Sequence, residues 1–260
     1  MNRTFDAERL DVPDLLQRMP EGSSLSVNTI RKADMKRLKG LDELPLAFLG
    51  LRWLSAPDLT SVPLPSSLKE LRIWHSNKLK SLNGIEAASG LEKLELRENG
   101  LLENGSAVRS LPKLRSLSIE GGNSSQQKVE TLSFLEGLPL EHVSLVAVDG
   151  RTLDLGPVAR LPELKSFDVQ GQEFPSVELA KVAAAFPWFL DRLLDLPDCS
   201  IDGMACKKCG GRKKELFIKE AKGLWCSACE EAGLKKALTG FEALVEAARQ
   251  KAVSALGMTT

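Results

Sequence analysis

One phrase, L-x-x-L-x-L with conservative replacements, recurs through the first two thirds of the chain and constrains its fold more than any other feature. It starts at Leu46, Leu68, Leu91, Leu114, Leu140 and Leu164, at successive spacings of 22, 23, 23, 26 and 24 residues. A fixed period in this range marks one supersecondary unit stacked on copies of itself. The second and third apolar positions of each phrase are two residues apart, at Leu49/Leu51, Leu71/Ile73, Leu94/Leu96, Leu117/Ile119, Val143/Leu145 and Phe167/Val169. A strand turns such alternate side chains to one face. A single unit cannot bury that face alone, so the units must stack into a continuous core. Counting back 24 residues from Leu46 reaches Gly22, after which Leu25 and Val27 fill the inner positions of a degenerate seventh unit.

Leu-Pro pairs precede several phrases, at Leu44-Pro45, Leu111-Pro112, Leu138-Pro139 and Leu161-Pro162. Proline fixes its own φ and pushes the preceding residue toward extended geometry, which suits a chain entering a strand. With these phrases, residues 22–175 resemble the leucine-rich-repeat family. The resemblance implies an α/β solenoid of about six to seven repeats with parallel strands on its concave face. The Asn that the family places after the third apolar position stands in frame only at Asn99. Asn77 and Asn123 fall one place late, and Leu54, Val148 and Gln172 occupy the position elsewhere. An incomplete Asn ladder and irregular curvature are expected.

The variable positions flanking each inner pair should point away from the core. They bring Arg52, Arg72, Trp74 and Arg97 close together, with Glu70 and Glu95 beside them and Glu120 further along. Trp and Arg are common anchors of protein interfaces, one through rigid area and the other through a planar fork of donors. The same residues would also serve as a solvated face of weakly paired charges.

All five cysteines lie between Cys199 and Cys229. A disulfide framework would be spread over the fold it staples, so this clustering points to a local metal site in a reducing compartment. Cys206-x2-Cys209 and Cys226-x2-Cys229, separated by 16 residues, have the spacing of a four-cysteine zinc site. One structural Zn2+ held by Cys206, Cys209, Cys226 and Cys229 is expected, with no open position for a catalytic water. Gly210-Gly211 gives the first knuckle backbone freedom. Glu215–Lys219 and Gly223–Trp225 read as a hairpin, and the run from Glu230 through Ala252 reads as helical. Cys199 reads as a small buried side chain. Knuckle, hairpin, second pair and helix resemble a treble-clef zinc finger of the GATA type over about residues 204–236. Lys207, Lys208, Arg212, Lys213, Lys214, Lys219 and Lys222 face only Glu215 and Glu220 between the knuckles, so phosphate contact by Lys207, Lys208, Arg212, Lys213 and Lys214 is a second possibility.

Upstream of the finger, Ser176 is placed to cap a helix through Phe186. Pro187 opens a second helix carrying Trp188, Phe189, Leu193 and Leu194. The expected organisation is a cap segment at 1–21, repeats at 22–175, a helical cap or linker at 176–198, the zinc module at 199–235, and a helix and tail at 236–260.

Lys plus Arg and Asp plus Glu both total 35, so no global field favours nucleic acid or an anionic membrane. Residues 1–17 are too charged for a signal peptide, and no stretch approaches the roughly 20 apolar residues of a spanning helix. A cytoplasmic location follows as an expectation. The chain has two histidines and no tyrosine, with no nucleophile, phosphate-loop or catalytic-metal motif. A non-enzymatic module that binds a protein, with no small-molecule substrate, is the resulting expectation. By analogy with small cytosolic repeat proteins that serve as immunity proteins or antitoxins, neutralising a cognate toxin is the expected role. A nucleic-acid-associated regulator acting through the basic finger is the alternative.

Overall fold

The computed structural model describes residues 1–122, 125–169, 174–194, 206–210, 213–216, 223–226 and 228–255, with the backbone alone at 213–216, 223–224 and 255. Asn123, Gln172, Cys199, Gly211, Arg212, Lys219, Glu220 and Lys222 lie outside the described residues. The chain divides into two compact units, the first comprising residues 1–149 and 161–170 and the second residues 150–160 and 171–260.

The first unit is built on one parallel sheet of eight strands in chain order. These are β1 (Asn2–Asp6), β2 (Ser23–Asn28), β3 (Leu46–Arg52), β4 (Glu70–Trp74), β5 (Lys93–Arg97), β6 (Ser116–Glu120), β7 (His142–Val146) and β8 (Ser166–Asp168). Register aligns the repeat phrases: Leu25, Leu49, Leu71, Leu94, Leu117, Val143 and Phe167 form one row across the sheet, and Val27, Leu51, Ile73, Leu96, Ile119 and Leu145 form the next. Every one of these residues is buried. The leading leucines of the phrases, Leu46 through Leu164, are buried too, as are Leu44, Leu111, Leu138 and Leu161 ahead of the prolines. The architecture is therefore the predicted α/β repeat solenoid, followed by helices and a four-cysteine module.

Two ends of the sheet differ from the phrase pattern. At the start, Asn2–Asp6 pairs with β2 as a further parallel strand, followed by α1 (Val12–Arg18), whose first turn is capped by Asp11 accepting from the Asp14 amide at 3.1 Å. Nothing in L-x-x-L-x-L marks β1, because Arg3 and Phe5 stand where the phrase would need leucines. At the other end β8 is only three residues long, and Val169, the third apolar position, is half-buried beyond it. Between strands, 3-10 turns at Ile85–Ala87, Ser106–Ser110 and Ser133–Leu135 lie against their neighbours in successive repeats.

The Asn ladder is filled by other residue types. Asn99 accepts from the Ser76 amide and donates to the Ile73 carbonyl, both at 3.0 Å. Ser76, in frame but with a shorter side chain, accepts from the Leu54 amide at 3.0 Å and donates to the Trp74 carbonyl. Gln127 accepts from the Asn99 amide at 2.8 Å and donates to the Gly100 carbonyl at 2.6 Å. Ser76 and Gln127 are fully buried, and a buried backbone group without a partner is costly, so three side chains of different length do one job.

The second unit contains α2 (Gly156–Ala159), α3 (Ser176–Ala185), α4 (Pro187–Leu194), the antiparallel pair β9 (Lys213–Leu216) and β10 (Gly223–Cys226), and α5 (Glu231–Ala255). α3 packs against α2 and α5. Proline opens α4, as its missing amide allows at a helix start. Ser176 does not cap α3: Pro175 takes the N-cap position, and among the described residues the buried Ser176 hydroxyl has no hydrogen-bond partner. α5 is one helix, continuous through residue 235, with Phe241 and Val245 buried one turn apart.

Candidate functional site

Two groupings of side chains have chemistry beyond holding the fold. The first lies on the outward face of the sheet. Because β3, β4 and β5 pair in register, Phe48, Glu70 and Lys93 form one outward row, Gly50, Arg72 and Glu95 the next, and Arg52, Trp74 and Arg97 the third. Gly50 leaves the space at the centre: a Cβ there would come within 2.9 Å of the Ser26 hydroxyl and 3.4 Å of the Phe48 ring. The Arg72 guanidinium lies 5.2 Å from the Phe48 ring centre and 5.7 Å from that of Trp74. Arg52 covers Trp74 more closely, at 4.2 Å.

Carboxylates hold the cations in place. Arg72 Nε is 2.6 Å from Glu70 Oε1 and 3.3 Å from Glu95 Oε2, and Lys93 Nζ reaches Glu70 at 3.2 Å. The Trp74 indole N–H donates to Glu95 at 2.7 Å. Burial raises the Glu70 pKa, but hydrogen bonds from Arg72 and Lys93 and their charges more than offset this and leave it below its usual value. Arg97 and Glu120 sit at the margin, 3.9 Å apart. The structure thus gathers Arg52, Arg72, Trp74, Glu70 and Glu95 into one connected patch with Arg97 and Glu120 beside it. Phe48 and Lys93 also belong to this patch. Phe48 precedes the inner pair Leu49/Leu51 and Lys93 the pair Leu94/Leu96, but only their cross-strand neighbours reveal their part.

The second grouping is the four-cysteine cluster in the other unit. The thiol sulfurs of Cys206, Cys209, Cys226 and Cys229 all lie within 4.8 Å of one another, with Cys209 and Cys226 at 3.5 Å. Sulfurs about 2.3 Å from a central tetrahedral ion fall in this range of separations. Gly210, at φ 71°, turns the first knuckle so that its amide meets the Cys206 carbonyl at 2.8 Å. The backbone amides of Cys209 and then Lys208 favour the Cys206 thiolate and bring its pKa down to about 6. The neighbouring sulfurs, chiefly Cys209, with burial also contributing, push Cys229 up to about 12. Crowded thiols resist a second negative charge, and a bound cation removes that penalty. The Glu230 carboxylate accepts from the Cys226 amide at 2.8 Å, tying the second knuckle to the start of α5. These four cysteines can hold a metal ion. Lys207 and Lys208 are exposed on the first knuckle, Arg212 lies outside the described residues, and Lys213 and Lys214 are placed on β9 by their backbone.

Fold and site define an α/β repeat solenoid of the leucine-rich type carrying a four-cysteine cluster that can take a metal. Among solved structures, the crystal structure of an internalin (inlF) from Listeria monocytogenes str. 4b F2365 is similar, with 19% identity and a TM-score of 0.35 over 62% of this chain. The match spans 50% of that chain. No protein-family model matches, and no curated protein is significantly similar. Among the described residues no helix is long and apolar enough to cross a membrane.

Proposed function

We propose that this chain is a non-enzymatic, cytoplasmic protein-binding module whose repeat sheet recognises a protein partner through the patch centred on Arg72 and Trp74. The observation that supports this most is the pre-organisation of that patch: a half-buried Trp is held by Glu95 and covered by Arg52, and Arg72 is fixed between two carboxylates. Anchors already locked in one geometry lose little freedom on binding, which favours association. The biological role that suits such a module is that of an immunity protein or antitoxin blocking a cognate toxin. The four cysteines hold one structural Zn2+, since an all-thiolate tetrahedral set suits that ion. The order of knuckle, β9–β10 hairpin, second knuckle and α5 supports a treble-clef finger related to the GATA type.

Affinity capture from the native cell, followed by mass spectrometry and titration of the identified protein, tests the reading. Trp74→Ala should weaken binding by about 2 kcal/mol or more, roughly thirtyfold, if it is an interface anchor. An Arg72→Ala/Trp74→Ala protein that is folded and binds as tightly as the parent refutes the reading. The exposed Lys207 and Lys208 favour the second reading, a nucleic-acid-associated regulator. In that case affinity should fall steeply and linearly with log salt, whereas a Trp- and Arg-anchored protein interface should depend on salt less.

A further inference from the structure

The residues two places beyond the third apolar position form a column of their own. Thr29, Trp53, His75, Glu98 and Ala147 all have left-handed backbone, with φ between 50° and 54°. Such φ values are uncommon outside glycine, and their recurrence makes them a property of the repeat. The consequence is a ridge at the ends of the strands, on which side chains from neighbouring repeats stand side by side. The Trp53 and His75 rings stack with centroids 5.7 Å apart and planes at 19°. His75 Nδ1 lies 3.6 Å from Glu98 Oε2.

A cleft of about 270 Å³ opens beside this ridge, lined by Trp53, His75, Asn77, Glu98, Ser125 and Gln126 among others. Trp53 is 49% exposed, unusual for a side chain of its size. Glu98 lies over Gly122, where a Cβ would come within 2.5 Å of its carboxylate. Its charge is faced by His75 and by Arg97, whose Nε is 3.7 Å away and is shared with Glu120. Both distances exceed hydrogen-bond length, so among the described residues no donor bonds to the Glu98 carboxylate. An aromatic platform beside a carboxylate that lacks a hydrogen bond favours a planar cation. A guanidinium stacks on aromatic faces and forms paired hydrogen bonds to a carboxylate.

We propose that this cleft is a binding pocket for a guanidinium group, carried by an arginine side chain of a partner protein, which stacks against the Trp53–His75 pair and pairs with Glu98. The pocket uses neither Arg72 nor Trp74, so it stands or falls separately from the outward face. The probe is blocked arginine (N-acetyl-arginine methylamide) titrated into 15N-labelled full-length protein, with the Trp53 indole resonance assigned by Trp53→Phe. Saturable shifts of that resonance are expected, with a dissociation constant of roughly 1 to 10 mM. Blocked citrulline, the uncharged isostere, should leave it unmoved. Glu98→Gln should weaken the response by about tenfold or more, and Arg72→Ala/Trp74→Ala should preserve it. The arginine and citrulline arms use the unaltered protein, so the test holds even if a variant fails to fold. Absence of a Trp53 response to blocked arginine, an equal response to citrulline or methyl glucoside, or binding of free L-arginine alone would each overturn the proposal, the last by pointing to an amino-acid ligand.

Discussion

At the scale of single residues, the side chains that decide the sheet's integrity are polar ones between repeats. Asn99 satisfies two backbone groups at once, the Ser76 amide and the Ile73 carbonyl. Asn99→Ala removes a partner from both, and at about 1 to 3 kcal/mol for each unsatisfied group the expected loss is about 2 to 6 kcal/mol. Urea unfolding at neutral pH should show it as a lower midpoint with unchanged slope. A loss below half a kcal/mol would mean that water replaces the side chain. Ser176 gives the opposite expectation. As a cap it would cost about 1 kcal/mol to remove, but its buried hydroxyl has no partner among the described residues, so Ser176→Ala should be neutral or stabilising by up to about 1 kcal/mol. Destabilisation by a full kcal/mol in the same assay would restore the capping role. Sequence frame singled out Asn99 but not its neighbours. Ser76 has a different side chain at the in-frame place, and Gln127 arrives from within the longest repeat, where no fixed offset could find it.

At the scale of elements, strands were more legible than helices. The L-x-x-L-x-L phrase names the buried pair of each strand because a period of two leaves no choice of face, and β3 through β7 lie where it put them. β1 escaped because it takes its partner from β2 with Arg3 in an inward register position. For α3 and α5 periodicity marks an apolar side, but the mutual packing of the two helices is a tertiary fact that spacing does not encode. The cysteine pairs were legible because a metal site is a local pattern. That locality shapes the next expectation: purified protein should carry one zinc per chain, and Cys226→Ser should lose it, as read by elemental analysis. Metal content unchanged in the variant would eliminate Cys226 as a ligand. A structural zinc of this kind contributes about 10 to 16 kcal/mol of apparent binding energy. Chelation should therefore release the β9–β10 hairpin while the repeat sheet, with its own rows of buried leucines, stays folded by circular dichroism.

At the scale of the whole molecule, equal totals of acidic and basic residues hide a specific pairing, and the pairing sets how stability follows pH. Composition gave the balance, and the outward columns placed Glu70 near Arg72. The pairs that join more distant parts of the chain, such as Asp154 with Lys181 and Glu141 with Lys165, needed the folded structure. The pKa values of Glu70, Glu141 and Asp154 all lie below their usual values. For Glu141 the main cause is the Lys165 hydrogen bond, and for Asp154 the Lys181 hydrogen bond followed by the Gly156 amide. A carboxylate whose folded pKa is lowered binds protons more readily when unfolded, so its contribution is fully present above the unfolded value and disappears as pH falls through the folded one. The ordinary values here are 4.5 for Glu and 3.8 for Asp. Stability should accordingly be level with respect to these groups at neutral pH and fall as pH drops below about 4.5. Protonation also leaves 35 Lys and Arg side chains without counter-charges, and their mutual repulsion works in the same direction. Urea midpoints measured at intervals from pH 7 to pH 3 should fall only in the acid half of that range, and Glu70→Gln, which removes one of the lowered groups, should make the decline shallower. A midpoint that stays level down to pH 3 would show that these ion pairs contribute nothing to holding the sheet and its helices folded.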